Sequence, residues 1–532
     1  STKIDTLSMY LIGDKPADYG EVLDKVNEKL KKDVGAVLEV KFLGWAEWRQ
    51  KYPLIMSSGE PVDMVYIGSF TNYRDYSQKG AFTDITDLMK KYAPEAYEKL
   101  DKNILETVKV DGKVYCFPAN YKEVNPFGYV VRGDLMKKYG MTEIKSRDDF
   151  MDYLRAVKKN ENIIPYNAGK TDPDLGYGSN MFSISNGLMC SYADKDYDKL
   201  YTYADNKKTD LELYKKAHEG YEEGLWPKDV IMNSLASKDA FVKGTSAATI
   251  CNLKNFNDLY AKVNASNPEW EPMYFRCGQE FNTPPTFSAG SGIGICRTSK
   301  NVEKSLKVIN LFNTDKEYNR LTTFGIEGKH YVEKEPGVYS FPDGVDASNT
   351  GFLPDQAGNW GWRNEEFFMT SDSSWPKYNE TVKECEKIAV WKPYSDFTVD
   401  TTPISTELAS VSAVGKEYNS ILNWGTSNDY KKTYEEKISK LKQAGMDKII
   451  AEEKKQFAEY KKINNIYMET QGFLKTDDIL EYLSYILNQK EVYLLGSGEL
   501  IKEIFSKLED KFNIKTYIFS NYETHIITSV KD

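Results

Sequence analysis

The chain has 532 residues, of which 40% are hydrophobic and 28% are charged, and this length predicts two or three ordered globular domains. Its formal net charge is -10, and no dense run of lysine and arginine interleaves with aromatic residues, which argues against nucleic acid as a partner. No stretch reaches the roughly 20 apolar residues that a membrane-spanning helix needs. Six cysteines without a CxxC pair and only three histidines argue against a zinc site, so we expect no metal ion and no other cofactor.

Aromatic residues are unusually frequent, at 13% of the chain with 38 tyrosines. Their rings provide rigid, flat contact area with a polar tip, which is the chemistry that stacks on sugar rings or nucleobases. Most of them must fill ordinary cores. Because the charge argues against nucleic acid, the surplus favours a sugar-like ligand.

The first predicted elements form two βαβ units. Residues 4–12 alternate as a half-buried strand, residues 19–32 carry apolar side chains at the helical period, and residues 38–42 form a second strand. A helix over 45–57 and a nearly all-apolar strand over 62–67 repeat this order. Such a strand is typical of a parallel sheet, in which ligands bind beyond the carboxyl ends of the strands.

The next elements predict an α/β continuation. Asp111-Gly112 is a strong hairpin signal within 108–117, and Pro118 follows it. Further predicted elements are a strand over 127–132, helices over 145–158 and 210–224, an apolar run over 247–251, and two lysine-rich helices over 429–443 and 446–462.

Six motifs follow one another in the sequence: MSSGEPVDMVYIGSF (56–70), KGAFTDIT (79–86), VKVDGKVYCFPANYKEVNPFGYVVRGDLMKKYG (108–140), FVKGTSAATICN (241–252), FSAGSGIGI (287–295) and TDKEYNRLTTFGIEGKHY (314–331). Each motif is weakly specific, but their order resembles that of the family 1 extracellular solute-binding proteins of bacterial ABC importers. This resemblance spans residues 1 to about 463. Within the family the chain resembles the long lipoprotein branch of Gram-positive bacteria, which has an extra C-terminal domain.

This resemblance implies the periplasmic-binding-protein-like, type II solute-binding fold, with two α/β lobes joined by a hinge. The first lobe would hold residues 1–118 and 287–350. The second would hold 119–286 and 351–463, including the C-terminal helices of this branch. Pro118 and Pro284-Pro285 suit the crossings between the lobes, because proline is tolerated poorly in the middle of a sheet.

Loops that follow strands, together with one late segment, provide the candidate ligand-binding residues. Trp360 and Trp362 are the sharpest feature, because two indoles flanked by polar residues combine stacking faces with groups that bind hydroxyls. Lobe packing is the alternative for each aromatic residue, and it weighs most for Phe70 and Tyr121. The full set is Asp14, Trp45, Phe70, Tyr73, Asn120, Tyr121, Asn252, Lys254, Ser291, Trp360, Trp362, Arg363, Asn364 and Glu365, with no catalytic residue among them.

The resemblance implies a monomer that captures a solute and passes it to the permease of an ABC transporter. Aromatic and amide side chains outnumber candidate charge clamps in the loops, which favours an oligosaccharide as the solute. Enzyme signatures are thin, so we expect that the protein is not an enzyme. The sequence starts at Ser1 without a leader, and we expect that a signal segment has been removed. The protein would then lie outside the cell and touch the membrane only through an N-terminal lipid anchor. Two alternatives stay open: a peptide-binding receptor of an ABC importer, and a glycan-active enzyme with a similar cleft.

Residues 464–532 change in character. The pattern predicts a helix over 476–487, a strand over 491–495, a glycine turn, a helix over 501–512 and a strand over 516–519. This small βαβ-like segment resembles the opening of a sugar isomerase domain, in which Ser497 would approach a phosphosugar. Only about half of such a domain is present, so a fused fragment is the alternative to a functional unit.

Overall fold

The computed structural model describes residues 4–68, 70–194, 197, 199–288, 291–356, 359–395 and 397–470, and within the tail 492–495, 512–519 and 522–530. Two compact units make up the chain, residues 1–453 and 454–532. In the part of the chain so described, no helix is both long enough and apolar enough for a membrane span.

The strands in chain order are β1 (Asp5–Ile12), β2 (Ala36–Leu43), β3 (Met64–Gly68), β4 (Lys109–Val110), β5 (Lys113–Val114), β6 (Cys116–Pro118), β7 (Glu123–Val124), β8 (Phe127–Arg132), β9 (Met181–Ser183), β10 (Met189–Ser191), β11 (Ala248–Asn252), β12 (Pro272–Arg276), β13 (Thr286–Ser288), β14 (Ser291–Ile295), β15 (Val332–Glu335), β16 (Val338–Ser340), β17 (Thr370–Ser371), β18 (Val390–Trp391), β19 (Val492–Leu495), β20 (Phe512–Phe519) and β21 (Tyr522–Val530).

The helices are α1 (Tyr19–Asp33), α2 (Trp48–Ser57), α3 (Tyr73–Gln78), α4 (Leu88–Tyr92), α5 (Pro94–Lys99), α6 (Lys102–Thr107), α7 (Gly133–Lys138), α8 (Arg147–Asn160), α9 (Lys207–Glu222), α10 (Ser237–Val242), α11 (Leu253–Ser266), α12 (Val302–Thr314), α13 (Lys316–Phe324), α14 (Tyr378–Ile388), α15 (Ser405–Asn423), α16 (Tyr430–Gln443) and α17 (Met446–Thr470).

The first core surrounds a five-stranded sheet in the order β2-β1-β3-β14-β6. Strand β1 pairs in parallel with β2 and β3, and β14 runs antiparallel to β3 and β6. All five residues of β3 are buried, as its apolar sequence predicts, and α1 buries Val22, Val26 and Leu30. The predicted βαβ opening is therefore confirmed.

The second core surrounds a smaller sheet in which β8 lies between β11 and β12 and is antiparallel to both. Strand β8 occupies residues 127–132, as predicted. Tyr129, Phe150 and Trp226 are among its buried side chains, which form a cluster separate from the first core. Each sheet thus has its own hydrophobic interior, as expected for two lobes.

Two connections join the cores through a third sheet, in the order β18-β13-β7. The chain leaves the first sheet after β6 and reaches β8 through β7, and it returns from β12 through β13 to β14. Both connections therefore run from one edge of the second sheet, where β8 begins and where β11 and β12 end. This edge is called the facing edge below. The architecture confirms the predicted α/β fold of two lobes with a hinge.

The late segment 352–364 packs on the first core, which corrects the predicted lobe boundary at residue 351. Phe352 is fully buried against Tyr19 and Val22 of α1, and Trp362 belongs to the first core cluster. The lobe division implied by the family resemblance assigned this segment to the second lobe, but Phe352 and Trp362 fill space beside the first sheet.

In the tail, β21 lies between β19 and β20 and pairs antiparallel with both. The two predicted strands are present, although β20 starts at Phe512, inside the predicted helix over 501–512. Because β19 and β20 both run antiparallel to β21, they are parallel to each other, as the two strands of a βαβ unit are, and β21 lies between them. The βαβ-like order of this segment stays a prediction. The predicted helix over 476–487 and Ser497 lie outside the described residues.

Candidate ligand-binding site

Three aromatic rings form a group at the carboxyl ends of the first sheet, and we call Trp45, Phe70 and Trp360 the aromatic platform. Trp45 follows β2, Phe70 follows β3, and Trp360 comes from the late segment. The ring centroids of Trp45 and Trp360 lie 6.0 Å apart in a stacked arrangement, and those of Trp45 and Phe70 lie 6.1 Å apart. Trp45 is 44% exposed and Phe70 is 41% exposed, which is uncommon for large apolar side chains. The platform therefore offers open ring surface at the sheet edge where ligands bind in α/β folds.

Polar contacts hold the platform in place. The Asp14 carboxylate, which follows β1, accepts a hydrogen bond from the backbone N–H of Trp45 at 3.3 Å. Thr71 closes the turn after β3, because its hydroxyl both accepts from the Gly68 N–H at 3.1 Å and donates to the Gly68 carbonyl. A Cβ on Gly68 would lie 2.9 Å from the Phe70 ring, so glycine allows this ring to fold back over the strand end.

Tyr66 supports the platform from below. Its ring meets the Trp360 ring edge-on, with centroids 5.8 Å apart. Its hydroxyl shares a hydrogen bond of 2.6 Å with the Ser291 hydroxyl, and burial raises the pKa of Tyr66 well above its ordinary value. Ser291 begins β14, so this pair joins the platform to one of the two connections between the cores.

Trp362 has a different environment from Trp360, although only Gly361 separates them in a short 3-10 helix. Trp362 is 2% exposed, its indole N–H donates to the Thr322 hydroxyl at 2.8 Å, and its ring packs on Phe312. The structure therefore gives Trp362 a core-packing role, which corrects its prediction as a ligand-contact residue. A satisfied indole N–H and buried faces leave it nothing to offer a ligand in this conformation.

An ionic cluster lies beside the platform and consists of the buried pair Asp355 and Arg363 with the half-buried Lys254 and Glu123. The Arg363 guanidinium donates twice to the Asp355 carboxylate, at 2.6 and 2.7 Å, and lies 3.4 Å from Glu123. Lys254 forms an ion pair with Asp355. Burial alone would raise the pKa of Asp355, but the Arg363 and Lys254 charges hold it below its ordinary value.

The cluster connects the two cores. Lys254 lies in the first turn of α11, whose N-terminus is capped by the Asn252 side chain at the facing edge of the second sheet. Asp355 lies in the late segment packed on the first core, and its backbone N–H donates to the Thr323 carbonyl. Asp355 also has a left-handed backbone (φ 55°), a conformation that non-glycine residues adopt only when their surroundings demand it. Its carbonyl accepts from the Trp360 indole N–H at 2.9 Å, so the same residue orients the platform.

Several predicted residues are engaged within the protein. Tyr73 donates its hydroxyl to the Val108 carbonyl at 2.8 Å. Asn120 and Asn364 form a parallel bridge, and the Asn364 amide donates to the Asn313 carbonyl. Glu365 accepts from the Lys122 N–H at 3.0 Å. The contacts of Asn364 and Glu365 attach the connection after β6 to the late segment.

Tyr121 lies next to the ionic cluster. Its ring centroid is 5.5 Å from that of Phe368, and the Arg363 guanidinium lies 5.5 Å from it. Burial raises the pKa of its hydroxyl. The structure therefore brings together Trp45, Phe70, Trp360 and Asp14 around the platform, and Tyr121, Lys254 and Arg363 around the cluster.

Sequence reasoning missed a further exposed ring, that of Tyr177, which lies at the facing edge of the second sheet. Tyr177 is 39% exposed and its ring lies 4.2 Å from that of Phe127, the first residue of β8. A Cβ on Gly178 would lie 2.4 Å from the backbone of Gly278, so the two loops meet through bare backbone. Thr283 donates its hydroxyl to the Gly178 carbonyl at 3.1 Å. The signal available in the sequence was an aromatic residue between two glycines, Gly176-Tyr177-Gly178.

Metal and thiol chemistry find no support in the described ranges. Within them no group of three or more histidine, cysteine, aspartate or glutamate side chains is arranged to hold a metal ion. All six cysteines are buried, and burial raises the pKa of Cys251 to about 12, so that it stays protonated.

The chain has two α/β lobes joined by crossing strands. Exposed aromatic rings lie at the two sheet edges that these strands connect. This arrangement is that of a two-lobed solute-binding protein. Residues 13–318, more than half of the chain, match the family model described as bacterial extracellular solute-binding protein, and the chain belongs to this family. A second model, a domain of unknown function (DUF3502), matches residues 393–462. Neither match reaches the tail, whose resemblance to a sugar isomerase domain is not confirmed.

Two sequence relatives each match most of the chain. A protein named carbohydrate ABC transporter substrate-binding protein, from Streptococcus pneumoniae serotype 4, is 27% identical over 468 residues, which cover 86% of this chain and 91% of that protein. Lipoprotein LipO of Bacillus subtilis is 23% identical over 435 residues, covering 75% of this chain and 81% of that protein.

Solved structures confirm the fold. The N-glycan transport solute binding protein NgtS from Streptococcus pneumoniae aligns with a TM-score of 0.70 at 24% identity, covering 86% of this chain and 99% of that chain. Its complex with Man5GlcNAc aligns with a TM-score of 0.68 at 24% identity, covering 88% and 100%. A solute-binding protein from Bifidobacterium longum infantis that binds HMO aligns with a TM-score of 0.61 at 14% identity, covering 86% and 99%.

Proposed function

We propose that this chain captures an oligosaccharide between its two lobes and delivers it to the permease of an ABC importer. The observation that carries this proposal is the exposed aromatic platform, Trp45 and Phe70 with Trp360, at the carboxyl ends of the first sheet. Exposed rings of this size cost solubility unless a partner covers them. The C–H faces of a sugar ring suit such a surface, and an oligosaccharide has several such faces in a row.

The ligand would contact both lobes. On the first lobe, the platform and the Asp14 carboxylate would take a sugar ring and its hydroxyls. Ser291 would lie on the same side, beside Tyr66. From the second lobe, Tyr177, Asn252 and Lys254 would approach the other side. Closure is favoured only as far as the ligand binds the closed form more tightly than the open form, and the hinge sheet of β7, β13 and β18 is where the backbone would bend.

The relatives support this class of ligand. The relative from Streptococcus pneumoniae is named for carbohydrate, and NgtS has been solved with Man1GlcNAc and with Man5GlcNAc. The protein would work as a monomer outside the cell, held to the membrane by an N-terminal lipid anchor. The relative from Bacillus subtilis is named a lipoprotein, which supports this part of the proposal. It would catalyse no reaction.

Calorimetric titration with neutral oligosaccharides built from mannose, N-acetylglucosamine, glucose or fructose tests the proposal, with peptides of similar mass as the comparison. We expect at least one glycan series to bind and the peptides not to. Trp360→Ala should weaken binding by about 2 kcal/mol, or roughly 30-fold, as expected for a central aromatic contact. Leu54→Ala, which changes an exposed apolar residue of α2, is the matched control and should change nothing.

Three results would contradict the proposal. Binding of peptides without any glycan would make the protein a peptide receptor. Chromatographic detection of cleaved glycan after long incubation with the protein would make it an enzyme. Full retention of glycan affinity in Trp360→Ala would remove the platform from the site.

A further inference from the structure

A cavity of about 280 Å³ lies between α11 of the second lobe and the small sheet of β15, β16 and β17. This sheet is attached to the first lobe through α13, which buries Tyr318 in the first core. Phe324, the last residue of α13, packs on Tyr339 of β16 with ring centroids 5.6 Å apart. The volume is close to the lower end of the range for small-molecule sites, about 300 Å³. We call it the α11 cavity.

The α11 cavity and the aromatic platform adjoin the same ionic cluster. Lys254 and Asp355 of this cluster both line the cavity. The Lys254 ammonium also lies 5.8 Å from the centroid of the Trp360 ring. An extended ligand that lies on the platform is therefore close enough to continue past Lys254 into the cavity.

The charges in the lining of the α11 cavity balance. Lys254, Asp258 and Lys262 follow one another at intervals of four residues, so they lie on one face of α11, and all three line the cavity. The ionisable residues of the whole lining are Lys238, Lys254, Lys262, Asp239, Asp258 and Asp355. Three positive and three negative side chains favour a neutral ligand over an ion.

Two polar groups in the lining are left without a partner. Among the described residues, none donates a hydrogen bond to the half-buried Asp258 carboxylate or forms an ion pair with it. The half-buried Tyr378 hydroxyl likewise makes no hydrogen bond within the described part of the chain. Burial raises the pKa of Asp258, and the charge of Lys254 opposes this rise. Withdrawing such groups from water costs free energy, which a ligand with matching polar groups recovers.

A sugar residue has the groups that match this lining. A carboxylate only accepts hydrogen bonds, a tyrosine hydroxyl also donates them, and a sugar hydroxyl does both. Phe324, Tyr339 and Phe341 form an aromatic wall, in which the rings of Tyr339 and Phe341 meet edge-on with centroids 5.9 Å apart. Tyr339 and Phe341 are only half-buried, so part of their surface is free for the C–H face of a sugar ring.

We propose that the α11 cavity binds a further neutral sugar residue of the oligosaccharide that lies on the platform, with Asp258 as the acceptor for its hydroxyls. The inference rests on the proposed function, because both surfaces would hold parts of one glycan. The protein would then select glycans that are long or branched enough to occupy the platform and the cavity together.

Calorimetric titration of the full chain with glycans of different length tests this inference. Disaccharides of mannose, N-acetylglucosamine, glucose or fructose are compared with the longest neutral oligosaccharide of the same series. Asp258→Asn should lower the affinity for the long glycan about tenfold, because a charge-assisted hydrogen bond becomes a neutral one. The affinity for the disaccharide should stay unchanged, since a short ligand would occupy the platform alone.

An aromatic variant and a matched control accompany this titration. Phe341→Ala removes one ring of the aromatic wall and should weaken binding of the long glycan roughly fivefold. Asp24→Asn changes an exposed aspartate of α1 that does not line the cavity, and it should retain the parent affinity for both ligands. Urea unfolding at pH 7 should show Asp258→Asn to be at least as stable as the parent, because burial disfavours the charge that it removes. Its loss of affinity then reflects a lost contact and not damage to the fold.

Full affinity of Asp258→Asn for the long glycan would overturn the inference. An equal loss for the disaccharide and the long glycan would also overturn it, because Asp258 would then act on the platform or on closure of the lobes in general.

The two proposals fail separately. If oligosaccharides bind and depend on Trp360 but not on Asp258, the inference about the α11 cavity is wrong and the proposed function stands. If the long glycan depends on Asp258 but not on Trp360, the platform proposal is wrong. Absence of binding by every glycan would overturn both.

Discussion

The aromatic platform and the ionic cluster lie side by side, and they depart from the usual distribution of side chains in opposite ways. At the platform, large apolar rings are open to solvent, with Trp45 44% exposed. In the cluster, charges are buried, with the side chains of Arg363 and Asp355 7% and 8% exposed. Exposed apolar surface and buried charge both cost free energy, and proteins retain such features where function requires them. Asp355 connects the two, because its carboxylate pairs with Arg363 and its carbonyl orients Trp360.

The comparison is tested most severely by Arg363→Met, which removes the charge and keeps much of the side-chain volume. We expect the free energy of unfolding to fall by about 3–5 kcal/mol, because Asp355 would be left buried with one partner fewer. Urea unfolding followed by circular dichroism measures this change. Lys448→Met, which breaks the exposed pair with Glu407, should cost at most about 1 kcal/mol. A similar cost for both variants would contradict the distinction between a buried cluster and surface pairs.

Trp362→Ala separates the two neighbouring indoles. We expect it to lower the free energy of unfolding by about 3–5 kcal/mol, since it empties a filled site beside Phe312 in the first core. Trp360→Ala should cost much less stability and lose ligand affinity instead. Parallel urea unfolding and calorimetric titration of the two variants measure both effects. If Trp360→Ala and Trp362→Ala lowered the free energy of unfolding equally, the platform would be an extension of the first core.

Trp45→Ala tests how far the platform extends from Trp360. Trp45 is the most exposed of its rings, so we expect a loss of affinity of about 1 kcal/mol, or roughly fivefold, smaller than for Trp360→Ala. The unfolding free energy should change by less than about 0.5 kcal/mol. Titration with the best neutral oligosaccharide measures the first effect. An unchanged affinity would restrict the platform to Phe70 and Trp360.

Asp258→Asn should have the smallest effect and an opposite sign. Burial raises the pKa of Asp258, with the Asp355 carboxylate adding to the rise and Lys254 opposing it. The folded state therefore holds its proton more tightly than the unfolded state, and Asp258 destabilises the fold increasingly as the pH rises above about 3.8. The variant should be more stable than the parent at pH 7, by less than about 1 kcal/mol, and no more stable below pH 3.8.

Asp355 provides the internal control for this pH dependence. Its folded-state pKa is lowered, so its contribution is present above its ordinary pKa of 3.8 and is lost as the pH falls through the folded-state pKa. Asp355→Asn should consequently destabilise at pH 7, where Asp258→Asn stabilises. Thermal unfolding from pH 3 to 8 distinguishes the two carboxylates, and equal signs at pH 7 would contradict the assignment.

Local sequence patterns were sufficient to predict much of the first lobe. The βαβ opening follows from period and burial within single segments, and Asp111-Gly112 forms the predicted tight turn between β4 and β5 with φ values of 51° and 75°. Trp45 and Phe70 were placed correctly at strand ends because that position depends only on where the strands stop. Their contact with a ligand stays a prediction.

The ionic cluster could not be predicted, because it depends on contacts between distant segments. Lys254 and Asp355 are 101 residues apart, and their pairing requires both lobes to be in place. Trp360 and Trp362 have equally polar neighbours in the sequence, and only the turn of one short helix decides which enters the core. Tyr177 was missed for a similar reason, since its loop has no periodicity and gains its position from Gly278.

The contact between Gly178 and Gly278 has a mechanical consequence. Gly278 lies at the start of the connection that returns from β12 to β13, and the Gly178 loop lies directly against it without an intervening side chain. Thr283, further along the same connection, holds the Gly178 carbonyl. We therefore expect a rotation of this connection to move the Gly178 loop with it, so that the Tyr177 ring shifts when the lobes close on a ligand.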